Sequence, residues 1–225
     1  MTAAGICTLD GLVGRGFRCI VADPPWPYGT RDAITRCIKN DGSTALGVGD
    51  TGYQFMSMRD LCAMPVATLS DTAAHLYLWT TNAFMREAHD LAKAWGFKPK
   101  TVLTWGKVKA DGTASMKTGY YFRGATEHCL FAVRGSLRLQ GMKGRPTLYL
   151  SRRLPHSVKP DWFYALCEEC SPGPRLELFA RRERPGWTVW GNEVGPNPKA
   201  HDLRSNIVEP VVGRQKSKEK QDGLR

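Results

Sequence analysis

Long apolar runs are missing from this chain. No stretch approaches the roughly 20 successive hydrophobic residues that a membrane-spanning helix requires, so no membrane association is expected. The first residues, MTAAGICTLDGLVG, lack a basic stretch followed by a long apolar one, and export is not expected either. The cysteines lack the arrangement of a disulfide framework: seven of them, an odd number with scattered spacing, read as free thiols in a reducing compartment. Cys167 and Cys170 form a single C-x-x-C without a second pair, on the apolar side of a helical pattern, so no zinc or other metal is expected. Acidic residues are the scarcer charge, 21 against 32 Lys and Arg, and the formal net charge of +11 favours an anionic partner such as nucleic acid.

What is there fits one domain. A hydrophobic fraction of 42% and a charged fraction of 24% are ordinary for a soluble protein, and 225 residues allow one sizeable core. Residues 1–195 are read as that domain, and 196–225, rich in charge with little to bury, as a basic disordered tail. Residues 18–22 are an apolar run stopped by Asp23 and two prolines, as a buried strand entering a loop reads. Residues 28–52 have no apolar period and are long for a connection, which marks a binding loop or a disordered one. Ser57 and Asp60 resemble a helix start, with Met58, Leu61 and Cys62 on one face and Pro65 as the stop.

Residues 75–79, 101–105, 128–133, 176–179 and 187–190 read as further strands. Phe84, Ala88, Leu91 and Trp95 recur at helical spacing up to Gly96, and Phe163, Leu166, Cys167 and Cys170 do so after Pro160. Strands alternating with helices imply an α/β fold, a mainly parallel sheet covered by helices on both faces.

The strongest chemical signal is Asp23-Pro24-Pro25-Trp26, directly after the first strand. Adenine's amino nitrogen is a poor nucleophile because its lone pair is delocalised into the ring. A carboxylate at Asp23 accepts one of its N–H groups and a carbonyl of the stiff Pro-Pro segment accepts the other, which favours a pyramidal nitrogen. Taking a base out of its stack costs a few kcal/mol, and an aromatic face such as Trp26 or Tyr28 returns about 1 to 3 kcal/mol. The alternative reading of these residues is that Pro-Pro ends a strand and Trp26 fills the core.

The chain resembles the MT-A family, named for the methylating subunit of the messenger-RNA adenosine methyltransferase. The likeness runs from about Cys19 to Glu193 in ordered blocks: VADPPWPYG, HLYLWTTNAFMREAHDLAKAWGFKPKTVLTWGK, GYYFRGATEHCLFAVRG and HSVKPDWFYALCEECSPGPRLELFARRERPGWTVWGNE. The resemblance implies a Rossmann-like S-adenosyl-L-methionine-dependent methyltransferase domain of permuted motif order. It assigns Asp23, Pro24, Pro25 and Trp26 to holding the target adenine beside the methyl donor. Asp23, Lys159, Arg181, Asn192 and Glu193 match cofactor-binding positions, Trp26, Glu127 and Lys159 match substrate-binding ones, and Tyr28 is a substrate-binding candidate by its aromatic face. Glu193 can accept both ribose hydroxyls. Arg123 and the lysines of the 107–117 loop are candidates for phosphate contacts.

A glycine-rich Phe-x-Gly-x-Gly loop is lacking, and Phe179-Ala180-Arg181 stands in its place. The expected activity is direct methyl transfer to the N6 amino group of adenine. DNA is favoured over RNA, because the size points to a bacterial or phage member acting in the cytoplasm of the bacterial or infected cell. RNA adenosine remains a second reading, a non-catalytic nucleic-acid-binding partner of an active subunit a third, and homo- or heterodimerisation stays open.

Overall fold

The computed structural model of the chain describes residues 9–27, 55–116, 121–141, 144–155, 158–191 and 194. The 28–52 stretch with Tyr28, Lys117, Asn192, Glu193 and the 196–225 tail lie outside the described residues. The elements are β1 (Phe17–Ala22), α1 (Met58–Ala63), α2 (Val66–Leu69), β2 (Ser70–Thr80), α3 (Met85–Ala94), β3 (Lys98–Val108), β4 (Thr126–Arg134), β5 (Leu148–Arg152), α4 (Asp161–Cys170), β6 (Arg175–Leu178) and β7 (Thr188–Trp190).

Local sequence explains most boundaries. Ser57 caps α1: its hydroxyl accepts from the Asp60 amide at 3.1 Å and donates to the Asp60 carboxylate at 2.7 Å. The helix on 85–94 ends where Gly96 adopts a φ of +82°, a left-handed conformation that a side chain would strain. Among the described residues no helix is long and apolar enough to cross a membrane.

The seven strands form one sheet in the order β5-β3-β4-β2-β1-β6-β7. Every ladder is parallel except the two that β4 makes, with β2 and β3, so β4 alone runs against the other six. Alternation along the central strands sends side chains to two cores. Ile20, Ala22, Leu76, Leu78, Leu130 and Leu176 meet α1, α2 and α3 through Leu61, Val66, Leu69 and Leu91. Cys19, Val21, Tyr77, Trp79, Cys129 and Phe131 meet α4 through Phe163, Tyr164 and Cys167. Helices therefore cover both faces of a mostly parallel sheet, the Rossmann-like arrangement expected from the sequence.

Two features differ from the expectation. β5 was not read from the sequence: it is an edge strand with Leu148 and Leu150 exposed, so only pairing with β3 makes it a strand. Strands β2 and β3 each run to 11 residues, well past their apolar cores at 75–79 and 101–105. Backbone pairing carries β2 back to the half-buried Ser70 and carries β3 on through the buried Gly106 and Lys107.

The topology sets the place of the site. From β1 the chain first builds outward to β2, and it returns much later to lay β6 on the opposite side of β1. β1 is thus the strand at which the winding reverses, and in open α/β sheets ligands bind outside the carboxyl end of such a strand. The residue at that end is Asp23.

Candidate active site

Asp23 follows β1 directly, and the two prolines bring the chain sharply off the sheet edge. The Trp26 amide donates to the Pro24 carbonyl at 2.8 Å, a three-residue turn, and the Met56 amide donates to the Pro25 carbonyl at 3.0 Å. Each carbonyl keeps a second lone pair.

The Trp26 ring, one of the faces expected to stack on a base, is inside the protein. It is 3% exposed, stacks on Phe84 with centroids 5.5 Å apart, and its indole N–H donates to the Trp79 carbonyl at 3.0 Å. The expectation of a Trp26 platform is therefore corrected. The ring anchors the turn that presents Asp23, and a buried anchor has no face left for a base.

Four charged side chains alternate across the carboxyl edge. Lys159, just ahead of α4, places Nζ 2.8 Å from Oδ2 of Asp23 and 3.2 Å from Oε2 of Glu127. The other carboxylate oxygen of Glu127 accepts from Nζ of Lys107. The lysines lie over indole rings, Lys159 4.8 Å from the Trp79 centroid and Lys107 4.5 Å from that of Trp105. The side chain of Lys159 is 10% exposed and that of Asp23 31%, so Asp23 is the open end of the series.

These environments set the protonation states. Burial pushes the Glu127 carboxyl up, but Lys159 and Lys107 outweigh it and hold the group below the usual carboxylate range. Burial likewise disfavours the Lys159 ammonium, and Asp23 and Glu127 outweigh it and raise its pKa. Both charges are thereby retained out of bulk water.

The reversal of β4 is what makes the cluster. Glu127 stands at the amino end of β4, opposite Trp105 of β3, so an antiparallel strand delivers its first residues where its neighbours end. The sequence places Lys107 in the 107–117 loop, as a candidate for phosphate contacts. It belongs to β3 and is 6% exposed, and that expectation is corrected: the hairpin register seats its ammonium on Glu127. The sequence carries only a weak signal for this, an alternation that puts Trp105 and Lys107 on one face. Lys159 is drawn into the same series by its pairing with Asp23 and Glu127. Arg123 is exposed.

Arg181 lies beyond β6, at the same edge as Asp23. Between them Phe179 holds a φ of 62°, the described non-glycine residue with a positive φ. Such strain gathers at functional sites. Gly191 packs so tightly on this segment that an added Cβ would lie 2.1 Å from the Ala180 carbonyl oxygen. Asn192 and Glu193, the next two residues, lie outside the described residues. Behind the edge, Tyr164 donates to Glu177 at 2.7 Å, and the Arg184 guanidinium stacks 3.4 Å from the Tyr164 ring centre. Burial raises the Glu177 carboxyl, and neither Tyr164 nor Arg184 fully offsets it.

Comparison with known proteins decides what this edge belongs to. Residues 17–193 match the MT-A70 family. The chain belongs to that family. Methyltransferases of the MT-A70 family act on adenine N6 in nucleic acid and use S-adenosyl-L-methionine as methyl donor. The chain is 29% identical over 198 residues to the type II methyltransferase M.MunI of a Mycoplasma species, covering 83% of this chain and 81% of that protein. It is 31% identical over 209 residues to an N(6)-adenosine-methyltransferase MT-A70-like protein of Drosophila melanogaster, and 26% over 201 residues to the human N(6)-adenosine-methyltransferase catalytic subunit METTL3. Each of those matches covers 83% of this chain, which spans only 28% of the fly relative and 30% of the human one.

The MT-A70 edge has a donor set that fits the methyl donor. Asp23 offers a partly open carboxylate to a cationic sulfonium and ammonium, and Lys159 and Arg181 offer cations to a carboxylate.

Proposed function

We propose that this MT-A70 protein transfers a methyl group directly from S-adenosyl-L-methionine to the N6 amino group of adenine in DNA, within a reducing cytoplasm. The observation that carries the reading is Asp23: a carboxylate at the strand where the winding reverses, oriented by the Lys159 ammonium at 2.8 Å and open on its other side. When bound, S-adenosyl-L-methionine supplies an electrophilic methyl on a sulfonium centre. The bound donor would give up that methyl to the adenine amino nitrogen as a neutral thioether leaves, and the proton made acidic by methylation would pass to solvent.

Asp23 accepts one N–H of the amino group through the lone pairs that Lys159 leaves, and a Pro24 or Pro25 carbonyl accepts the other. Its task is to localise the nitrogen lone pair and to position it, with no covalent intermediate. Lys159, Arg181, Asn192 and Glu193 hold the donor in this reading, and Glu127 and Tyr28 face the nucleoside. DNA is favoured because the match spans 81% of a type II methyltransferase but less than a third of the fly and human adenosine methyltransferases. Free thiols at Cys19, Cys62, Cys129, Cys167 and Cys170 support the reducing compartment.

The test is methyl transfer from labelled donor to matched adenine-containing DNA and RNA strands, with nucleoside analysis of the product. N6-methyladenine in DNA is expected; product in RNA alone moves the substrate to RNA. Asp23→Asn is expected to fold and to lose at least about 100-fold in turnover, comparable to removing one preorganised hydrogen-bonding group from an active site. Wild-type turnover in that variant overturns the mechanism. A chain that neither transfers methyl nor binds the donor is a non-catalytic partner.

A further inference from the structure

From His128 to Pro160 the chain carries no Asp or Glu and seven Lys or Arg. So long a stretch with one sign of charge presents that sign to whatever lies beside it. The fold commits some of the seven. Lys159 is paired with Asp23 and Glu127, Arg145 with Glu169, and Arg134 donates to the Ala67 carbonyl and the Ser70 hydroxyl. Arg152 and Arg153 are exposed and form no ion pair among the described residues.

Their place is the edge that holds Asp23. Arg152 ends β5 and stands opposite Val108 of β3, one strand spacing of about 4.8 Å and one residue step from Lys107, whose ammonium holds Glu127. Tyr149 stacks on Trp162 at 4.5 Å and Ser151 accepts from its indole at 3.1 Å, so these two face α4, and alternation sets Arg152 on the other face with the exposed Leu148 and Leu150. The far arm of the edge is different. Beyond β6, Arg182 and Arg184 lie 3.3 and 3.6 Å from Asp161, and Arg184 also stacks on Tyr164. The four charges of the site cancel among themselves. A phosphate arriving at this edge therefore meets uncommitted guanidiniums on the β5 side.

We propose that Arg152 and Arg153 grip the phosphate backbone beside the target adenine, so that the nucleic acid runs from Asp23 over the carboxyl ends of β3 and β5. The proposal rests on the nucleic-acid reading above and gives the strand its path. A guanidinium fork matches two phosphate oxygens at once, and such a contact fixes the strand without reading a base.

The experiment is fluorescence anisotropy of a labelled adenine-containing DNA single strand, titrated at several salt concentrations with the full chain and two double variants of equal charge change. Arg152→Gln with Arg153→Gln removes two cations at the carboxyl edge, and Lys98→Gln with Lys100→Gln removes two exposed ones at the opposite end of β3. For the arginine pair the slope of log affinity against log salt is expected to shrink by about 1.4, two contacts at about 0.7 each, so its deficit against wild type grows about 25-fold between 1 M and 0.1 M salt. The lysine pair should keep the wild-type slope, and both should bind S-adenosyl-L-methionine as wild type does. An unchanged slope in the arginine pair overturns the path, as does an equal loss in both pairs, which would reduce the effect to net charge. So does an arginine variant whose only change, in sedimentation, is new self-association, which would make the two residues guards of the β5 edge. A wild-type chain that grips the strand through these arginines and transfers no methyl leaves the path standing and overturns the enzymatic reading; methyl transfer with an unchanged slope does the reverse.

Discussion

Lys107 shows how much one buried charge governs. Its ammonium holds one oxygen of Glu127 while Lys159 holds the other, and together they keep that carboxyl ionised against the cost of burial. In Lys107→Met the carboxyl loses one of two cations, and its pKa rises toward the ordinary range. A depressed carboxylate contributes while the pH is above its pKa and loses that contribution as the pH falls through it. The acid limb of the pH–rate profile should therefore move to higher pH in the variant, with affinity for the methyl donor unchanged; an unmoved limb would separate Lys107 from the chemistry. Trp26 makes the complementary point. Its burial against Phe84 and its bond to the Trp79 carbonyl predict that Trp26→Ala loses about 3 to 5 kcal/mol in denaturant unfolding, the usual cost of emptying an aromatic site. Trp26→Phe, which keeps the stack, should lose far less and retain strand affinity.

Among the elements, β4 matters most to the site, since a parallel strand in its place would put Glu127 at the wrong end of the sheet. Its direction was not legible in 128–133, whose apolar run fits either sense equally. The β6–β7 segment is the other sensitive element. Its strands are short, and β7 is held beside β6 by a bond from the Ala180 amide to the Trp190 carbonyl at 2.9 Å. Gly191→Ala forces a Cβ into the Ala180 backbone, which cannot yield as a flexible side chain would. It should lower stability by about 1 to 3 kcal/mol, as overpacking does. Donor affinity measured by calorimetry should fall with it, because Arg181, Asn192 and Glu193 flank the clash. An alanine variant that binds the donor like wild type would detach this segment from the cofactor.

The whole molecule carries +11, and the residues of its described site contribute little of that, since Asp23, Glu127, Lys107 and Lys159 cancel. The excess lies elsewhere on the chain, free to meet phosphates. Binding of a single strand should weaken as salt rises, with a slope in log affinity against log salt steeper than about −2, equivalent to three or more phosphate contacts at about −0.7 each. A flat salt dependence would leave the net charge as a matter of solubility alone.

By itself the sequence determined the α/β alternation, the two-faced cover of helices, the helix start at Ser57, the stop at Gly96 and the tetrapeptide at the end of β1. These are set by near neighbours, through apolar period, capping and the rigidity of proline, and so can be read along the chain. Tertiary structure alone decided that Trp26 points inward, that 148–152 pairs as an edge strand and that Lys107 leaves its apparent loop to join Glu127, Lys159 and Asp23. Those four charges meet only through sheet register and strand direction. Whether a charge is solvated or paired depends on what the fold brings to within about 4 Å of it, and that distance is not written in any stretch of sequence.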